Sequence, residues 1–227
     1  MSAIYDDAWA ASYVRRAHAS IPGREGLYRL CVAHLSGVPA HARILVVGAG
    51  TGEELLHLGQ ALPHVRFVAL EPAEAMRGPC AARLEAAGMA PRVELLGQLL
   101  DEYDGPGEFD AATAILVSQH IPAAAEAAAF FRQVHGLLRP GGHLYSADLH
   151  IAHGQDRAAM LTLWRLQAAM SGVEPELLDR MLEAFARDPR PRDEAAIQGF
   201  LDDAGFVDVL KPFSSLLYGA WCARRPP

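Results

Sequence analysis

Five short runs rich in β-branched or apolar residues recur along the chain, with segments of helical character between them. The runs are RILVVG (43–48), VRFVALE (65–71), RVELLG (92–97), FDAATAILVS (109–118) and GHLYSADL (142–149), each with the length and composition of a strand. Segments 53–62, 73–88 and 122–138 between them are rich in alanine, leucine and glutamate, residues that favour helix. Strand, helix and strand in repetition predict a parallel sheet, because parallel neighbours need a crossover and the crossover helices must bury their apolar faces on the sheet. The expected fold class is α/β, doubly wound with helices on both faces and right-handed crossovers.

Punctuation divides the rest of the chain. LLRPGGHL (137–144) reads as a helix stopped by a Pro-Gly-Gly turn that feeds the fifth strand. Residues 155–187 break the alternation with a long helical stretch, 195–206 reads as a helix closed by Gly205, and 207–225 as a terminal hairpin. The first 40 residues are expected to be helical. This gives four parts: an N-terminal helical region 1–42, a sheet core 43–150, a helical insertion 151–194, and a C-terminal helix and hairpin 195–227 that complete the sheet.

A chain of 227 residues with 51% hydrophobic and 21% charged residues can bury one substantial core. Cys31, Cys80 and Cys222 lie far apart and form no CxxC, which predicts reduced buried thiols and a cytoplasmic setting rather than a disulfide framework or a zinc site. The start MSAIYDDAWAASYVRRAHAS lacks the pattern of a signal peptide, and no stretch approaches ~18 uncharged apolar residues, so no membrane association is expected. A net charge of −7 argues against nucleic acid as the main partner. Arg15, Arg16, Arg24, Arg29 and Arg43 against the single acid Glu25 leave residues 15–43 basic, suited to a small anionic group or to ordinary solvation of a helix face.

ILVVGAGTGEEL (44–55) carries the chemistry. Glycines at the carboxyl end of a first parallel strand let the backbone turn sharply, approach a ligand and aim free helix N–H groups at a negative group. Gly48, Gly50 and Gly52 form GxGxG, and Glu53 stands where the dinucleotide fingerprint GxGxxG has its third glycine. Glu53 and Glu54 in the first helical turn would repel a pyrophosphate yet tolerate a ligand that carries a cation beside its carboxylate. The second strand ends at Glu71, the place of an acid that accepts two ribose hydroxyls.

ILVVGAGTGEEL, FVALEPAEAM, FDAATAILVSQHIP and LLRPGGHLYSADL, in this order and spacing, resemble the class I S-adenosylmethionine-dependent methyltransferases, and FLDDAGFVDV (200–209) is similar to the family's closing segment. The resemblance implies a Rossmann-like seven-stranded sheet with the last strand antiparallel. It implies that Gly48, Ala49, Gly50 and Gly52 wrap the methionine part of S-adenosylmethionine, that Glu71 holds the ribose hydroxyls, and that Pro72 and Met76 line the adenine pocket. Where the family places an acid for the adenine amino group this chain has Gln98, followed by Leu99; a glutamine carbonyl can still accept that bond. Val117 and Ser118 would lie near the amino group and sulfonium. The N-terminal region, with its turn Ile21-Pro22-Gly23, resembles a branch in which a helical lid lies over the cofactor. Tyr5, Trp9, Tyr13 and Arg16 would belong to that lid, and the insertion around Trp164 would close the other side of the substrate site.

The sulfonium is an activated methyl donor, so such an enzyme has mainly to align a nucleophile and exclude water, an orientation effect of up to ~7–11 kcal/mol. His120, two residues past the fourth strand, is the candidate base, with a packing role as the alternative. Asp148, at the end of the fifth strand, is a candidate substrate contact. His143, His150 and His153 with Asp148 suggest a metal only superficially, because strand alternation puts 143 on the face opposite 148 and 150; no metal is expected. The expected function is transfer of a methyl group to a small-molecule acceptor, releasing S-adenosylhomocysteine. A dinucleotide-dependent oxidoreductase and a non-catalytic S-adenosylmethionine-binding module are the alternatives. The terminal hairpin offers an edge through which a homodimer could pair.

Overall fold

The structure is a computed structural model, and it describes residues 17–187 and 191–227. Among the described residues eight strands form one sheet. Seven of them follow the path β3-β2-β1-β4-β5-β8-β7, where β1 is Arg43–Val47, β2 Arg66–Leu70, β3 Val93–Leu96, β4 Phe109–Ile115, β5 Leu138–Ile151, β7 Val207–Ser215 and β8 Tyr218–Arg224. β1 to β5 are mutually parallel, and β8 inserts antiparallel between β5 and β7. The expected antiparallel last strand is therefore present. The eighth strand has no signal in the sequence pattern: β6 (Arg192–Asp193) is two residues long and pairs with the far end of β5 through His150↔Arg192.

Strand alternation divides the core into two layers. Ile44, Val46, Phe67, Ala69, Tyr145 and Ala147 face one way. They are covered by α1 (Arg24–Leu35), α2 (Glu53–Ala61), α3 (Glu74–Ala86) and the two helices of the insertion, α5 (Arg157–Met170) and α6 (Pro175–Arg187). Their neighbours Leu45, Val47, Val68, Leu70 and Leu144 face α4 (Ala124–Leu137) and α7 (Glu194–Asp203). The near-continuous apolar runs of β1, β2 and β4 follow from burial on both sides. Each Val, Leu or Ile taken fully out of water contributes ~1.5–3 kcal/mol.

β5 begins earlier than the Pro-Gly-Gly signal predicts. Strand pairing starts at Leu138↔Phe109 and passes through 140–142 with an irregularity, because the Gly141 N–H donates to the Arg225 carbonyl (3.1 Å) and the Arg225 N–H to Gly142 (2.8 Å). The turn is thus tied to the chain end beyond β8.

Two contacts dock the N-terminal segment. The Tyr145 hydroxyl donates to the Leu27 carbonyl (2.8 Å) across 118 positions of sequence. The Trp164 indole N–H donates to the Ser20 carbonyl (3.0 Å), which joins the insertion to the residues before α1. Among the described residues no helix is long and apolar enough to cross a membrane.

Candidate functional site

The carboxyl ends of β1, β2 and β4 converge on the glycine turn. Gly48, Gly50 and Gly52 have φ of 69°, 55° and 83°, backbone that a residue with a side chain adopts only at a cost. Their surroundings separate their roles. A Cβ on Gly52 would lie 2.9 Å from the Cys80 Sγ in α3, so this glycine permits the close helix approach that the dinucleotide fingerprint assigns to its third glycine. A Cβ on Gly50 would meet only the Met76 methyl, at 3.8 Å, so the space beside Gly50 is open.

Glu71 binds the turn from the next strand. One carboxylate oxygen accepts the Gly50 N–H (2.8 Å) and the other the Ala73 N–H (2.9 Å). Burial raises its pKa, and these two N–H groups and Arg77 pull it partly back. Each oxygen keeps a lone pair for a further donor. Pro72 follows directly, Met76 is buried in α3, and the Arg77 guanidinium donates to the carbonyls of Glu71 (2.9 Å) and Pro72 (3.2 Å). Arg77 also reaches Gly97, where a Cβ would be 2.8 Å from its Nη1, which puts a cation beside Gln98. Gln98 and Leu99 are half-buried, and the Leu99 N–H donates to Glu102 (2.8 Å) in the following 3₁₀ turn.

The fourth strand ends in a strained residue. Leu116 has φ of 62°, and its N–H donates to the Ala147 carbonyl (2.7 Å), steering the chain into Val117 and the 3₁₀ turn Ser118–His120. Strain of this kind collects at functional sites. His120 stands exposed at the end of this turn. Ser118 and Asp148 are both buried, and the serine hydroxyl donates to the aspartate. Burial pushes the Asp148 carboxyl up to about 7, with Ser118 and Arg192 opposing. Arg192 itself is buried, donates to the carbonyls of Ser118, Ile121 and Pro122, and stacks over Phe200. Asp148, through Ser118, and Arg192, through the carbonyls of Ser118, Ile121 and Pro122, hold the loop that carries His120.

Trp164 is placed differently from expectation. It is fully buried, bonded to Ser20 and edge-on to Phe185 at 5.6 Å, so it packs the insertion against the N-terminal segment. Tyr5, Trp9, Tyr13 and Arg16 lie outside the described residues. His143 packs on His34 (5.2 Å between ring centres), His150 on Trp221 (5.2 Å), and His153 offers its backbone N–H to Glu194, so the structure does not gather these three histidines.

Beside the turn lies a pocket walled by Gly48 to Thr51, Glu53, Glu54, Ile115 and Leu116, and from α1 by Arg24 and Tyr28. The two glutamates, equivalent in the sequence, have opposite fates. Glu53 receives the Arg24 guanidinium (3.1 Å), the Tyr28 hydroxyl (3.4 Å) and a His18 ring nitrogen (2.5 Å). Burial pushes its carboxyl up, and Arg24 and His18 more than offset this, leaving it below its ordinary value. Glu54 is 5% exposed, one carboxyl oxygen has no hydrogen-bond partner, and burial lifts its pKa to about 7 against the pull of Thr113 and Arg24. In the sequence Arg24 is one charge of a basic stretch and Tyr28 carries no signal at all; only the Ile21-Pro22-Gly23 turn hints that α1 folds back over the glycines.

Residues 45–144 match the family model of a methyltransferase domain. No curated protein matches this sequence. Among solved structures, the S-adenosylmethionine-dependent methyltransferase SibL in its apo form superposes with a TM-score of 0.61 at 18% identity, over 90% of this chain and 57% of that one. An O-methyltransferase family protein from Burkholderia thailandensis gives 0.61 at 18% identity, over 95% and 63%. Human N-acetylserotonin methyltransferase in complex with S-adenosylmethionine gives 0.62 at 14%, over 88% and 52%. The chain spans less than two thirds of the length of each of these, and at such identities the likeness is one of fold.

Proposed function

We propose that this chain, whose core is a methyltransferase domain of the class I S-adenosylmethionine-dependent type, transfers a methyl group from S-adenosylmethionine to a small-molecule acceptor. The observation that carries this reading is the pairing of the open Gly50 cradle with Glu71, whose oxygens are oriented by Gly50 and Ala73 and retain capacity for two hydroxyls. The pocket beside it suits an amino-acid group better than a pyrophosphate, because Glu54 adds an acid that no described cation pairs directly. That is the reason to prefer a nucleoside bearing an amino acid over a dinucleotide.

In this reading Gly48, Ala49, Gly50 and Gly52 hold the methionine part, Glu71 the ribose, and Pro72, Met76, Gln98 and Leu99 the base, while Val117 ends the strand nearest the reacting carbon. When bound, S-adenosylmethionine supplies a methyl group already activated on a sulfonium. The chain orients the acceptor and excludes water, through the N-terminal segment on one side and the insertion on the other. His120, exposed on a loop fixed by Asp148 and Arg192, takes the acceptor's proton at a ring nitrogen. Asp148 acts through that loop as a positioning residue.

The test is transfer of label from methyl-labelled S-adenosylmethionine into a small-molecule extract. Label in a low-molecular-mass product with the wild type and none with Gly50→Arg supports the reading; label in neither would count against it.

A further inference from the structure

Glu53 and Glu54 are adjacent and both line the pocket, and of the two Glu53 alone has an ion-pair partner among the described residues. Glu53 has three side-chain partners, which fasten residues 18–28 onto the glycine turn. Glu54 sits in the first turn of a nine-residue helix and lines the pocket, 5% exposed, with one buried oxygen that has no hydrogen-bond partner. A buried polar atom without a partner costs ~1–3 kcal/mol, more if charged, and calls for an explanation. A carboxyl at a helix N-terminus is helped by the dipole, but here burial overrides that help.

The charged and titratable groups around Glu54 are few among the described residues. Arg24, Tyr28 and Cys31 approach from α1, Glu53 from its own helix, Thr113 from β4 and Tyr145 from β5. His57 stacks on Tyr28, and Cys222 stands beyond Cys31. Burial pushes the Cys31 thiol and the Tyr145 phenol far up, so both are neutral near pH 7. Arg24 is engaged with Glu53. Among the described residues Arg24 is the cation that acts on Glu54, and it is shared with Glu53, so a cation from the ligand would stabilise Glu54 further.

Resting on the reading under Proposed function, we propose that Glu54 is the counter-charge for the α-ammonium of the bound amino-acid nucleoside, and that seating this ammonium releases the Glu54 proton to solvent. The ammonium keeps its proton, one proton leaves the carboxyl, and the net product is an ion pair closed off from water. The glycine N–H groups of the turn are the donors for the ligand's carboxylate. A carboxyl that is protonated at low pH in the empty site, where its pKa is about 7, and ionised in the loaded site makes affinity rise with pH. At its ordinary value of ~7.7–8.0 an α-amino group is about half neutral at pH 8, so between pH 6 and 8 the gain from ionising Glu54 is reduced to about fourfold.

The experiment is calorimetric titration of the full chain with S-adenosylhomocysteine, and with 5′-methylthioadenosine, which keeps the nucleoside and lacks the amino acid, at pH 6 and pH 8. In the wild type, S-adenosylhomocysteine affinity is expected to rise about fourfold between these pH values and methylthioadenosine affinity to stay level. Glu54→Gln should weaken S-adenosylhomocysteine at least tenfold at pH 8, remove most of its pH response and leave methylthioadenosine unchanged, which also certifies a folded pocket. Equal S-adenosylhomocysteine affinity and equal pH response in the two proteins would overturn the role of Glu54 while leaving the cofactor reading intact. Binding of neither nucleoside by the wild type would overturn both.

Discussion

The backbone N–H of Gly50 donates to the Glu71 carboxylate at 2.8 Å, and this bond joins the tips of the first two strands. It sets the orientation of the acid at the end of β2 and fixes the turn in which Gly50 has φ of 55°. Both halves of the proposed cofactor site therefore depend on one short loop.

Gly50→Arg is expected to abolish S-adenosylhomocysteine binding with little loss of fold. The side chain would enter open space, since the nearest atom a Cβ at this position would meet is the Met76 methyl at 3.8 Å, and it would fill the cradle. Thermal unfolding beside calorimetry checks this; unchanged affinity would remove the site assignment.

Gly52→Ala should behave in the opposite way, as a stability defect. The new methyl would stand 2.9 Å from Cys80 Sγ at a backbone φ of 83°. Overpacking and left-handed strain together predict a loss of about 2–4 kcal/mol. Denaturant unfolding measures it, and a loss near zero would show that α3 yields freely.

His120→Ala is expected to leave S-adenosylhomocysteine affinity near the wild-type value and to slow methyl transfer by roughly 10²–10⁴-fold. Single-turnover transfer to an acceptor found by the labelling assay provides the measurement. Equal rates would return this histidine to a structural role.

Asp148→Asn tests the buried carboxyl under the His120 loop. The Asp148 pKa is about 7 in the fold against 3.8 ordinarily, so between these values the folded chain holds a proton that the unfolded chain has lost. Stability from this group is thus lost as pH rises through that window, and the loss is complete above about 7. His34 and His150, pushed down to about 4 by burial, act in the opposite sense but are common to both proteins. The Tm of Asp148→Asn relative to wild type should rise from about pH 5 to about pH 8; a difference independent of pH would contradict the buried-acid account.

Much of the fold was legible in the sequence because its signals are local. Apolar runs such as RILVV end at glycines, and alternation sorts Ile44 and Val46 from Leu45 and Val47 onto two faces. The turn at Gly48 to Gly52 and the place of Glu71 just past β2 were legible for the same reason, since both are read from neighbouring residues. The different fates of Glu53 and Glu54 were not, because they depend on Arg24, which is 29 positions away from Glu53. The burial of Trp164 against Ser20, 144 positions earlier, and the pairing of Arg192 with the loop after β4 were hidden by the same distance. Strand-end position alone made Asp148 look available, while it is buried against Ser118, 30 positions earlier, and acted on by Arg192, more than 40 positions later.

The central claim is that the glycine turn and Glu71 hold an amino-acid nucleoside. Calorimetric titration of the wild-type chain with S-adenosylhomocysteine beside NAD under identical conditions tests it most directly. Micromolar binding of S-adenosylhomocysteine with none of NAD is the predicted result. Binding of NAD alone would contradict the account and make the turn a dinucleotide site.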